Sequence, residues 1–96
     1  VEIRSNTITD NVGAGIWLSG ADTTITGNTI TGGSDGIQLG AGSPTVIDNT
    51  VEVGGRGIWV GATSTAIVAG NTVCGTEASI HVVDGAEPTM GDNELC

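Results

Sequence analysis

Asn28-Thr29-Ile30-Thr31-Gly32-Gly33-Ser34-Asp35-Gly36-Ile37-Gln38-Leu39 holds the two phrases from which the whole chain is built. The first phrase, Asn-Thr-aliphatic, begins at Asn6, Asn28, Asn49 and Asn71, and again as Asn93-Glu94-Leu95. The five asparagines stand 22, 21, 22 and 22 residues apart. The second phrase is Gly15-Ile16-Trp17-Leu18, Gly36-Ile37-Gln38-Leu39 and Gly57-Ile58-Trp59-Val60, with Ser79-Ile80-His81-Val82 in the same place one period later. A fixed period of this length marks a chain of stacked copies of one unit. Every other residue can then be read by its position within a copy.

Three apolar columns run in phase with the asparagines. Ile3, Ile25, Val46, Val68 and Met90 each lie three residues before an asparagine, and Ile8, Ile30, Val51, Val73 and Leu95 each lie two residues after one. The Ile of the second phrase supplies the third column. Apolar and polar residues alternate within each segment, which is the period of a strand. Clusters of Gly, Ser, Asp and Asn between the segments read as turns. Three short strands per copy, stacked in register, give a parallel β-helix of about four coils of 21–22 residues, with a rise of about 4.8 Å per coil. Ile and Val then point into the lumen, and Thr7, Thr29, Thr50 and Thr72 point outward. The two length variations fall within residues 10–15 and 61–65, where turns are expected to absorb them.

The recurring Gly-Ile-x-Leu and x-Asn-Thr-Ile phrases resemble the right-handed parallel β-helix repeat family, whose architecture is shared with pectate lyases and related polysaccharide-active proteins. The resemblance covers essentially all 96 residues and is specific for fold. It implies that Asn6, Asn28, Asn49, Asn71 and Asn93 form an asparagine ladder, with their amides stacked at the bend between the second and third strands. An amide suits a buried bend because it both donates and accepts hydrogen bonds.

Composition narrows the function. Eleven acidic residues against two arginines and no lysine give a net charge of −9, which disfavours nucleic acid and anionic membrane surfaces. No apolar run approaches a spanning helix, so membrane insertion is not expected. The chain holds no Phe or Tyr, so its core must come from β-branched residues. Residues 1–96 are expected to form one domain, a segment of a longer solenoid with uncapped ends that stacks on neighbouring coils or on itself.

The outward positions of the second phrase form the candidate site. They are Trp17, Gln38, Trp59 and His81 on successive coils, with the two indoles about 9.6 Å apart along the stack. Indoles at this spacing can stack on sugar rings while Gln38 and His81 bond hydroxyls. In the lyases that the chain resembles, this same sheet lines the substrate groove. The expected function is therefore a non-catalytic, secreted or cell-surface scaffold contacting polysaccharide. Three alternatives stand beside it: a fragment of a lyase or hydrolase whose catalytic residues lie elsewhere, a purely structural spacer, and an ice-binding threonine face. The last is disfavoured because the second threonine column, Thr9 and Thr31, degenerates to Glu52 and Cys74.

Other groups read as structural. No catalytic set is expected: His81 with Asp84 lacks a nucleophile, and Asp35 with Arg56 one coil later is expected to form a stacked surface ion pair. Gly32-Gly33-Ser34-Asp35 has the wrong offsets for a Ca²⁺-binding nonapeptide. No cofactor or metal site is expected, with weak Ca²⁺ capture by the turn aspartates Asp10, Asp22, Asp48 and Asp92 left open. Cys74 and Cys96, one coil apart on the outer face, are expected to form a disulfide, which in turn places the protein outside the cytoplasm.

Overall fold

The computed structural model describes residues 2–10, 13–18 and 22–95, and within these the side chains of all but residues 62 and 63. The strands run in order as β1 (Glu2–Arg4), β2 (Thr7–Thr9), β3 (Ala14–Leu18), β4 (Thr24–Thr26), β5 (Thr29–Thr31), β6 (Asp35–Gly42), β7 (Thr45–Ile47), β8 (Thr50–Val53), β9 (Arg56–Ser64), β10 (Ile67–Ala69), β11 (Thr72–Gly75), β12 (Ala78–Val82), β13 (Thr89–Met90) and β14 (Glu94–Leu95). They assemble into three parallel sheets, with every third strand pairing one coil on. The first sheet has the order β1-β4-β7-β10-β13, the second β2-β5-β8-β11-β14, and the third β3-β6-β9-β12. The result is an all-β solenoid of about four coils, three strands to the coil, as the period requires.

The registers match the apolar columns. Ile3 pairs with Ile25, Ile25 with Val46, and Val46 with Val68 in the first sheet. Ile8, Ile30, Val51 and Val73 follow one another in the second. Ile16, Ile37, Ile58 and Ile80 do so in the third. In the middle coils these side chains are sealed: Ile25, Ile37, Val46, Ile58, Val68 and Val73 have no exposure. Each such burial contributes roughly 1.5–3 kcal/mol, and the branched Cβ atoms suit the pleated wall. Thr7, Thr29 and Thr50 lie exposed on the outer face of the second sheet, with Thr72 half-buried below them.

The corner between the first and second sheets, which hold the second and third strands of a coil counted from the Gly-Ile-x-Leu strand, is made by two residues. The residue before each asparagine takes a left-handed conformation in four coils: Ser5 (φ 53°), Gly27 (φ 64°), Asp48 (φ 56°) and Gly70 (φ 66°). Gly adopts this region freely and Asp tolerates it, which is why such residue types stand there. The asparagine that follows turns its amide inward. Asn28, Asn49 and Asn71 are 1% exposed.

The corner between the second and third sheets depends on close approach. A Cβ on Gly36 would lie 2.2 Å from Val51 Cγ1 and 2.4 Å from Gly57 O, and one on Gly57 would lie 2.2 Å from Val73 Cγ1. Glycine here lets the second-sheet valines reach into the lumen beneath the start of the third sheet.

One expectation about length is corrected. The extra residue within 61–65 does not sit in a turn, because β9 runs unbroken from Arg56 to Ser64. Leu39 pairs with Val60 and Ala41 with Thr63, so a β-bulge takes up the insertion inside the strand. Pairing resumes past the bulge because one unpaired residue can be expelled from a ladder without shifting the inward side chains. The other variation, within residues 10–15, falls in part on residues 11 and 12, which lie outside the described residues.

Candidate functional site

The third sheet carries the four outward residues in one straight column. Trp17 pairs with Gln38, Gln38 with Trp59, and Trp59 with His81. The inward neighbours flanking each position, Ile37 and Leu39 around Gln38 and Ile58 and Val60 around Trp59, are fully buried and pin the strand to the core. Trp17 is the most exposed large apolar residue described, at 65%. Gln38, Trp59 and His81 are half-buried. The difference follows from neighbours: Trp59 is flanked by Gln38 and His81 on both sides, whereas Trp17 pairs with Gln38 alone among the described residues.

The strip is flat. On its far side β6 and β9 continue through Gly40 and Gly61, which put no side chains beside Gln38 and Trp59. A Cβ on Gly61 would fall 2.5 Å from Gly40 O, so the close stacking of these two rungs leaves no room for one.

A polar hollow of about 410 Å³ lies at the near end of the same strands, lined by Gly33, Ser34, Asp35, Gly54, Gly55, Arg56 and Glu77. The expected Asp35–Arg56 ion pair is not found there. Asp35 Oδ1 instead accepts the backbone N–H of Arg56 at 3.1 Å, while Arg56 Nε stands 4.0 Å from Glu77 Oε2. The register puts Asp35 and Arg56 side by side as anticipated, but the short carboxylate reaches the next coil's amide first, and the long guanidinium extends one coil further. Its pairing with Glu77 is loose and solvent-exposed, contributing only ~0.5 kcal/mol. Glu77 was not singled out by the sequence. It stands one residue before Ala78, which the register places opposite Arg56.

Other turn carboxylates have similar structural tasks. Asp22 Oδ1 accepts the N–H of Ser43 at 2.9 Å, and Asp10 and Asp48 hold left-handed turn positions. No three His, Cys, Asp or Glu side chains converge among the described residues. A second shallow hollow, about 650 Å³, is lined by Gly32, Glu52, Val53, Cys74, Gly75 and Thr76 on the second sheet. Neither hollow includes a residue of the Trp17–His81 column. Cys74 is not a free thiol; its expected partner, Cys96, lies outside the described residues.

The asparagines form a continuous ladder rather than a ligand site. The Oδ1 of Asn28 accepts the N–H and Nδ2–H of Asn6 at 2.9 and 3.2 Å, and that of Asn49 accepts those of Asn28 at 3.0 and 3.0 Å. Asn71 and Asn93 repeat the arrangement for Asn49 and Asn71. The remaining Nδ2–H bonds reach bend carbonyls, including Ile3 O from Asn28, Ile25 O from Asn49, Val46 O from Asn71 and Val68 O from Asn93.

A family model described as the right-handed β-helix region matches residues 1–95. The chain belongs to the right-handed β-helix family. Membership assigns this β-helix to a group of scaffolds and enzyme-like domains. No characterised protein and no solved structure matched the chain at a significant level. Its function is therefore argued from its own surface.

Proposed function

We propose that this β-helix is a non-catalytic, extracellular scaffold that holds an extended polysaccharide along the outer face of its third sheet. Trp17 and Trp59 provide the stacking platforms, and Gln38 and His81 bond the hydroxyls between and beyond them. The observation that carries this reading is the single column formed by the pairings Trp17–Gln38, Gln38–Trp59 and Trp59–His81. Two indoles two rungs apart, about 9.6 Å, match the length of about two sugar units in an extended chain. Sugar rings present an apolar face ringed by hydroxyls, and indoles flanked by amide and imidazole groups answer both features.

A scaffold role is favoured over catalysis by the chemistry of the column. Glycoside hydrolysis needs two carboxyl groups across the scissile bond, and eliminative cleavage needs a strong base. The column supplies neither, and Asp35, the nearest carboxylate on β6, is engaged with the amide of Arg56. The extracellular setting rests on the expected pairing of Cys74 with Cys96, since structural disulfides persist in oxidising compartments.

Calorimetric titration of the wild type, Trp17→Ala and Trp59→Ala with soluble polysaccharides tests the reading. Saturable binding by the wild type, weakened at least tenfold in each variant, is expected. Equal binding by all three proteins places the ligand elsewhere, and release of shortened or unsaturated products overturns the non-catalytic assignment.

A further inference from the structure

The third-sheet face, taken as a glycan site on the reading above, also selects by charge, and we infer that its ligand is an uncharged polysaccharide spanning about three sugar units. The protein has two arginines and no lysine, and each arginine already stands against a carboxylate. Arg4 sits on the first sheet with its guanidinium against Glu2. Arg56 is closer to the column, but its Nε faces Glu77 and its backbone N–H is held by Asp35.

The fixed charges nearest the column are mostly negative. Asp35 lies three residues from Gln38 on β6, Glu77 four residues before His81, and Asp84 three residues after it. Even for fully extended chain these separations are at most about 10–13 Å. A field of that range is felt strongly in dilute salt, where the screening length approaches ~30 Å, and is cut back at physiological salt, where it is ~8 Å. A polyuronate carries a carboxylate on every unit. Laid along the column, it would bring a row of negative charge against Asp35, Glu77 and Asp84, with Arg56, already shared with Glu77, the one arginine nearby. The groups that do face the ligand, two indoles, a carboxamide and an imidazole, recognise ring faces and hydroxyls.

Geometry sets the length. Trp17 to His81 is three rungs, about 14 Å, so binding should strengthen with each added unit up to about three or four and then level off. The side-chain-free rungs at Gly40 and Gly61 let a linear chain lie flat against the strip.

The experiment compares neutral gluco-, xylo- and manno-oligosaccharides of two to six units with oligogalacturonates of equal length. Binding to the intact chain is measured in 10 mM salt and in 150 mM salt, with a chelator present throughout. The expected result is saturable binding of at least one neutral series, levelling off at about three to four units, and oligogalacturonate binding at least tenfold weaker in dilute salt. Oligogalacturonates binding as tightly as the neutral series would overturn the charge selection while leaving the glycan face intact. Absence of binding in every series would overturn both.

Discussion

Asn49 gives both its backbone N–H and its Nδ2–H to a single atom, the Oδ1 of Asn71, at 2.9 and 3.0 Å. The same amide nitrogen reaches Ile25 O at 3.0 Å and Ile47 O at 3.1 Å. One side chain thus satisfies carbonyls of two coils and, through its own Oδ1, receives two donors from Asn28. Few other side chains could do this in a space with 1% exposure, because the site demands a donor and an acceptor on one planar group.

Asn49→Ala should therefore be costly. It leaves the N–H and Nδ2–H of Asn28 and the carbonyl of Ile25 without their partners in a buried bend, for an expected loss of about 3–5 kcal/mol. Thr50→Ala, one residue away on the exposed face, should stay within about 0.5 kcal/mol. Urea denaturation followed by far-ultraviolet dichroism compares the two; similar midpoints would refute the structural weight given to the ladder.

Gly36→Ala should lose about 3 kcal/mol or more, because the new methyl meets both a core side chain and the backbone oxygen of the next coil. Gly13→Ala, where a Cβ finds nothing within 4 Å, should be neutral or slightly stabilising, by about 0.4–1 kcal/mol. Thermal melts of the two variants should separate clearly, and a tolerated Gly36→Ala would contradict the packing at this corner.

Asp35 and Arg56 should respond differently to truncation. Asp35→Ala removes the acceptor for the Arg56 amide and should cost about 1 kcal/mol. Arg56→Ala removes only a loose, exposed pairing with Glu77 and should cost about 0.5 kcal/mol or less. Equal losses that do not add in the double variant would instead indicate the direct ion pair.

Reduction should destabilise the protein if Cys74 is bridged to Cys96. A loop of this size predicts a loss of ~3 kcal/mol on opening, and the intact mass should rise by about two units. An unchanged mass would remove the bridge, and with it the support for an extracellular setting.

The repeat made most of the fold legible because in a solenoid register is topology: once Asn28 and Asn49 are equivalent, Ile30 must lie over Val51 and Trp17 over Gln38. What the period could not show is where long or flexible groups go after the register is set. Arg56 was placed correctly beside Asp35, yet its guanidinium passed to Glu77, since backbone position does not fix a side chain with four rotatable bonds. The insertion near Gly61 was placed correctly along the chain but expected in a turn, and a bulge leaves no composition signal different from one. The left-handed residues before the asparagines were not read from the sequence. Ser5, Gly27, Asp48 and Gly70 share no side-chain chemistry, and Asp92 at the same offset before Asn93 does not take a positive φ.

The two tryptophans give the glycan face its most direct test. A ¹⁵N-labelled sample should show two indole Nε1–H resonances, assigned by Trp17→Phe and Trp59→Phe. On titration with a neutral oligosaccharide, both should shift together, with the same midpoint as the side-chain amide of Gln38. Two stationary indole signals, while binding is evident elsewhere in the spectrum, would contradict the account.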